Sequence, residues 1–304
     1  FVYNYFASLL RAVGNSVIPL LFLGISSLVN VGLDLVFVRV LKRGVAGAAE
    51  ATVIAQFLSG MGIMAYTFLK MPEFRPGRQN MHMNRDVIHE ISQYSLLTCM
   101  QQSVMNFGIL MVQGLVNSFG TAVMAAFAAA VKIDSFAYMP VQDFGNAFST
   151  FIAQNYGAGK RERIKKGIHS AAAVAVSFSL AVSAIVFIFA RELMLIFVNP
   201  SETEILEVGI KYLRIEGAFY CGIGCLFLLY GLYRAMGRPG MSVVLTVISL
   251  GTRVVLAYTL SAVPWIGVTG IWVSVPVGWF LADAVGFLYY RYCSGKSLLQ
   301  PQNG

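Results

Sequence analysis

Arg11–Thr52, RAVGNSVIPLLFLGISSLVNVGLDLVFVRVLKRGVAGAAEAT, decides how the chain reads, because the stretch occurs twice. Adding 223 to each number, without a gap, takes Arg11, Ala12 and Gly14 to Arg234, Ala235 and Gly237. The same shift takes Ile25-Ser26 to Ile248-Ser249, and Gly44, Val45 and Gly47 to Gly267, Val268 and Gly270. Composition alone does not produce a gap-free match across two apolar runs and the turn between them. It reads as an internal repeat, the signature of membrane proteins built from two structural halves.

Composition points the same way. A chain of 304 residues that is 57% hydrophobic and only 12% charged, with a mean hydropathy of +0.70, is a polytopic membrane protein rather than a soluble domain. Residues 1–10 read as the end of one helix. Gly14-Asn15 then mark a turn before Pro19 opens the next. Further apolar runs cover 16–40, 47–70, 88–116, 121–157, 166–190, 205–235, 241–263 and 268–291, predicting eight full spans and a partial one in an all-α bundle. If the second half starts near Arg85, the offset puts the start of the first well ahead of Phe1. The expected shortfall is about 140 residues, or about four helices at ~20 residues each plus loops.

The net charge of +8 invites a nucleic-acid reading, but the charges alternate from loop to loop. Basic loops carry Arg11; Lys70, Arg75, Arg78 and Arg85; Lys160, Arg161, Arg163, Lys165 and Lys166; Arg234 and Arg238; and Arg291 with Lys296. The intervening loops are uncharged (117–121, 261–267) or acidic (Glu192, Glu202, Glu204, Glu207), with Arg39, Lys42 and Arg43 as the exception. By the positive-inside rule the basic loops and the C-terminus are expected on the cytoplasmic side of the cell membrane. No nucleic-acid partner is needed to explain them. Cys99, Cys221, Cys225 and Cys293 lie in or at the ends of apolar runs without metal spacing and read as small packing residues. His82, His89 and His169 form no ligand set, and no metal site is expected. No His pair, carboxylate dyad at ligand spacing, Gly-flanked Ser or phosphate loop falls within the spans, so no enzyme is expected.

Several motifs together resemble the multidrug and toxic compound extrusion (MATE) family. They are R-A-x-G-N-S from Arg11, N-x-x-x-L-D from Asn30, G-V-A-G-A-A-x-A-T from Gly44, and Gln154-Asn155-Tyr156-Gly157-Ala158 before a basic loop. The resemblance implies a twelve-helix antiporter with two six-helix lobes. Residues 1–80 would be the end of helix 4 with helices 5 and 6, and residues 81–304 the second lobe, helices 7–12. It further implies cation-coupled export of organic, often cationic, drugs by a monomer in the bilayer. No cofactor is expected beyond a proton or sodium ion as coupling ion. A flippase for lipid-linked saccharide precursors is the alternative; it would be expected to line its cavity with several Arg or Lys residues for pyrophosphate, and only Lys132 and Arg253 are candidates in the sequence, which argues against it. A channel would need a continuous polar pore, which the isolated carboxylates do not suggest.

Asn30 and Asp34 are four apart and so share a helix face. An ionisable group in an apolar span is a functional-site candidate by default. In relatives an Asn and an Asp at this spacing, with a Thr early in the next helix, belong to the cation site of the first lobe; Thr52 is the matching Thr. In the second copy Asn30 becomes Arg253 and Asp34 becomes Ala257, so the halves share a scaffold but not this site. Gln102, Asn106 and Gln113 make one polar stripe, and Lys132, Asp134 and Asp143 flank Pro140, where a kink is expected. These six either line a substrate pocket or, for the charged ones, neutralise one another across helices. Lys132 and Asp134, two apart, should not pair with each other. Arg253 and Asp283 are expected as a buried structural pair. With Gln101 and Gln102 on the seventh helix and no acid between Phe219 and Leu229, Asp134 and Asp143 are the carboxylates expected to serve the second lobe. Proton coupling through Asp34 is then the simpler expectation.

Overall fold

The computed structural model describes residues 1–75, 77 and 84–294, apart from the side chains of Cys293 and Ser294. Arg78, His82 and Lys296, and the expected lobe boundary at residues 80 and 81, lie outside the described residues. Contacts divide the chain into two units, one from Phe1 to Arg85 and one from Asp86 onward.

The first unit contains α1 (Val2–Ala12), α2 (Val17–Asp34) and α3 (Gly44–Lys70), packed around Phe6, Ala7, Leu10 and Ile63. Asn15 Oδ1 accepts a hydrogen bond from the Ile18 amide at 3.3 Å and satisfies one of the free N–H groups at the start of α2. Pro19 sits in that same first turn, where its missing N–H costs nothing. After Asp34 the helix widens into a π-helical turn, Leu35–Val40. Arg43 forms an ion pair with Glu50, so one of the three exceptional basic residues is neutralised locally.

The second unit contains α4 (Arg85–Asn117), α5 (Thr121–Gly157), α6 (Arg161–Ile188), the short α7 (Ala190–Leu195), α8 (Thr203–Gly217), α9 (Tyr220–Ala235), α10 (Pro239–Ser261) and α11 (Val268–Ser294). Two apolar clusters lie along it. One gathers Phe127, Tyr212 and Trp272, with Val123 to Ala137 of α5; the other gathers Tyr230, Tyr233 and Trp279, with Phe148 and Ile152 of α5. Between them α5 and α9 meet almost backbone to backbone. A Cβ on Gly231 would lie 2.6 Å from the Gly145 carbonyl oxygen, so the close approach requires glycine.

Among the described residues seven helices are long and apolar enough to cross a bilayer, and α8 with α9, bent by 51° at Ala218-Phe219, makes an eighth, broken span. The eight expected spans are therefore present. α5 continues as a helix through Pro140, and α11 through Pro276, while the break falls between α8 and α9. Side chains such as Leu28 and Phe136, 76% and 80% exposed, face outward, as a hydrocarbon solvent permits.

The repeat holds at the level of single hydrogen bonds. Asn15 N bonds Leu10 O at 2.9 Å, and Arg238 N bonds Tyr233 O, 223 residues on, at 2.9 Å. Gly14 and Gly237 close these two helix ends with φ of 89° and 72°, and Gly44 and Gly267 open the following helices with φ of 57° and 52°. A Cβ at Gly47 would meet Phe37, and one at Gly270 would meet Leu260, again 223 residues apart.

Candidate functional site

The second unit buries two carboxyl groups against each other's neighbours. Asp134 lies on the face of α5 that also buries Ala130, Ile133, Ala137 and Val141, so helical periodicity delivers it to the interior. Tyr212 and Glu216, four apart, share one face of α8. Tyr220 follows just after the bend, where the Phe219 amide still reaches the Glu216 carbonyl at 3.0 Å. Asp134 is 7% and Glu216 2% exposed, which for carboxyl groups requires a reason.

Part of the reason is hydrogen bonding. Tyr220 donates to Asp134 Oδ1, while the Tyr212 hydroxyl lies 3.2 Å from Asp134 Oδ2 and 2.9 Å from Glu216 Oε2. Phe127 and Trp272 enclose Tyr212, with ring centroids at 5.6 and 4.9 Å, both edge-on. A hydroxyl has one proton. Satisfying both of its carboxyl contacts at once therefore requires a second proton, on one of the two acids, donated to the tyrosine oxygen. Glu216 Oε1 and Arg253 Nε have no hydrogen-bond partner among the described residues. Arg253, on α10, acts electrostatically on both acids without an ion pair within 4.0 Å among the described residues.

In the first unit Asn30 Nδ2 donates to Thr52 Oγ1 at 3.3 Å, and Thr52 Oγ1 donates to the Ala48 carbonyl at 3.0 Å. Asp34, one turn beyond Asn30, stands where α2 widens into its π turn. Its Oδ1 is buried without a partner among the described residues. Such wide turns recur at functional sites.

Residues 81–259 match the family model described as MatE. The chain belongs to the MatE family. It is 28% identical over 309 aligned residues to the probable multidrug resistance protein YpnP of Bacillus subtilis, covering 98% of this chain and 66% of that one. It is 24% identical to a probable multidrug resistance protein NorM of Thermotoga maritima, covering 96% and 63%. The chain thus spans about two thirds of the length of these relatives. Its fold matches a multidrug resistance MATE family transporter of the MOP superfamily, solved in an outward-facing conformation, with a TM-score of 0.89, 23% identity, and coverage of 99% of this chain and 67% of that one.

Within this MatE-type framework the remaining expected residues scatter. Gln102, Asn106 and Gln113 are all exposed on α4, whereas neighbouring Gln101 is buried. Lys132 and Asp143 share the exposed face of α5; Lys132 Nζ lies 5.8 Å from the centroid of the Phe197 ring, away from Asp134. Lys132 and Asp143 thus do not join Asp134. The expected Arg253–Asp283 pair is not made either: no ion pair joins them among the described residues, and Asp283 Oδ1 is unpartnered.

Glu216 is a buried carboxyl group that the expected set of Asp134 and Asp143 did not include. Residues 205–235 are expected as one span, and its expected lack of an acid covers Phe219–Leu229 alone. The bend at Ala218-Phe219 carries the preceding turn of α8 inward, so the acid lies three residues earlier. The signal available was the Tyr212–Glu216 spacing, masked by the surrounding Lys211 and Arg214 that make α8 look like a solvated helix end.

Proposed function

We propose that the protein is a cation-coupled exporter of small organic, often cationic, compounds, operating by alternating access. The observation that carries this reading is the Asp134–Tyr212–Glu216 cluster, two buried carboxyl groups around one hydroxyl at a bent span. The multidrug resistance names of its relatives support the substrate class. In the first unit Asn30, Asp34 and Thr52 form the cation-coupling set, Asp34 taking the ion. In the second, Asp134 and Glu216 take part, while the exposed Gln102, Asn106, Gln113, Lys132 and Asp143 face substrate. The proton is the favoured coupling ion over sodium, because Tyr212 meets both acids only when a carboxyl proton is present. The basic loops and the C-terminus face the cytoplasm. The lipid-linked saccharide alternative is not favoured: Lys132 lies over Phe197, and Arg253 acts on the two acids.

The test is efflux of a fluorescent organic cation from proteoliposomes of the full-length protein, under imposed proton and then sodium gradients. Wild type should export under the proton gradient. Asp34→Asn and Glu216→Gln should each abolish coupled export while leaving the protein folded by circular dichroism and size-exclusion profile. Full export by both folded variants would sink the assignment.

A further inference from the structure

Asp283 of α11 takes no part in the cluster around Asp134. It is 6% exposed, its Oδ1 has no hydrogen-bond partner, and no cation lies within 4.0 Å of it among the described residues. Its immediate neighbours in sequence, Phe280, Leu281, Ala282, Ala284 and Val285, are apolar.

The groups that face Asp283 come from α9. Cys225 and Tyr230 both lie within electrostatic range of it. On α10 the charged side chain is Arg253, whose Cβ would lie 3.6 Å from a Cβ on Gly278 and whose charge acts on Asp134 and Glu216. On α8, Tyr212 and Glu216 are taken up by the Asp134 cluster.

The repeat locates the same contact independently. Subtracting 223 takes Asp283 to Gly60 and Cys225 to Val2. A Cβ at Gly60 would lie 3.5 Å from the Val2 Cβ and 3.4 Å from the Tyr3 amide nitrogen. The same offset sets Asp283 opposite Cys225 in the second unit, where one turn earlier on the same two helices a Cβ on Gly222 would lie 3.4 Å from the Trp279 Cβ. The first unit has glycine there, pressed against α1; the second has a carboxyl group and a thiol at the matching positions.

An ionised carboxylate inside a span needs a cation or several strong donors. Thiols are weak donors, so this packing suits a neutral carboxyl group. We propose that the Asp283 carboxyl, held between α9 and α11 near Cys225, is a proton-binding site separate from the Asp134–Glu216 pair. Protonation forms one O–H bond on the carboxylate with a proton drawn from water, and release returns it. Loss of the proton leaves an unpaired charge between α9 and α11. That charge loosens their contact and admits water to the turn that follows the bend at Ala218-Phe219. Proton occupancy at Asp283 thereby sets the packing of the second half of the broken span.

The experiment uses the full-length protein in lipid, without substrate, so it stands or falls separately from export. Infrared difference spectra between low and high pH should contain a carbonyl band from a buried protonated carboxyl group. That band is expected to disappear in Asp283→Asn and persist in Asp134→Asn. In parallel, alkylation of Cys225 by N-ethylmaleimide, read by peptide mass spectrometry, should rise with pH more steeply in wild type than in Asp283→Asn, the rise common to both being thiol ionisation. If Asp283→Asn does not fold, Asp283→Glu should keep the band at a shifted position. Superimposable spectra, or identical alkylation profiles, in wild type and the Asp283 variant would overturn the proposal.

Discussion

Tyr212 has one hydroxyl proton and two carboxyl neighbours, and most of what is specific to the second unit follows from that mismatch. Tyr212→Phe keeps the ring in its aromatic cage and removes only the oxygen. Two buried carboxyl groups then lose a shared partner, at a cost of about 1–3 kcal/mol. We expect a lowered melting temperature in detergent and fewer protons bound by the purified full-length protein on titration. Tyr220→Phe should destabilise similarly but keep the proton count, since Tyr220 touches Asp134 and not Glu216. Equal proton counts in wild type and Tyr212→Phe would refute the shared-proton account. Part of this chemistry was legible in the sequence: Asp134 is a charge in an apolar run. Its partner was not, because Glu216 lies among the charges of α8, and only the fold shows which of them turns inward.

At the scale of elements, spans and loops followed directly from runs of apolar residues, because a bilayer demands helices long enough to cross it. Where a helix breaks did not follow. Pro140 lacks an N–H, yet α5 runs on through it, while the chain bends between α8 and α9 at a point without proline. What α5 and α9 need instead is closeness. Gly231→Ala places a methyl group 2.6 Å from the Gly145 carbonyl oxygen, and backbone cannot swing aside as a side chain can. A cost of about 1–3 kcal/mol is expected, read as a fall in melting temperature. Gly114→Ala makes the control, since no atom outside its own helix lies within 4 Å of the new Cβ. There alanine should be neutral or stabilise by up to about 1 kcal/mol through helix propensity. Equal effects at the two positions would mean that α5 and α9 are not held as closely as described.

Across the whole molecule the repeat separates scaffold from chemistry. The offset of 223 preserves helix ends, left-handed glycines and close contacts, and it was legible in the sequence because those positions tolerate few residue types. The polar residues of the candidate sites do not obey it: Asn30 and Asp34 become Arg253 and Ala257, and Gly60 becomes Asp283. Selection on backbone geometry acts on both copies alike, whereas each unit carries its own polar set. Matched scaffold substitutions should therefore have matched costs. Gly14→Ala and Gly237→Ala each force a Cβ into φ of 89° and 72° and should each destabilise by about 1–2 kcal/mol. Gly44→Ala and Gly267→Ala, at φ of 57° and 52°, should form a second matched pair with the same sign. Thermal unfolding of the four single variants of the full-length protein checks this. A large loss at Gly237 beside none at Gly14 would show that the turns only look alike. Near-equal losses within each pair would show that one solution to the same backbone problem is used twice, with different chemistry mounted on each copy.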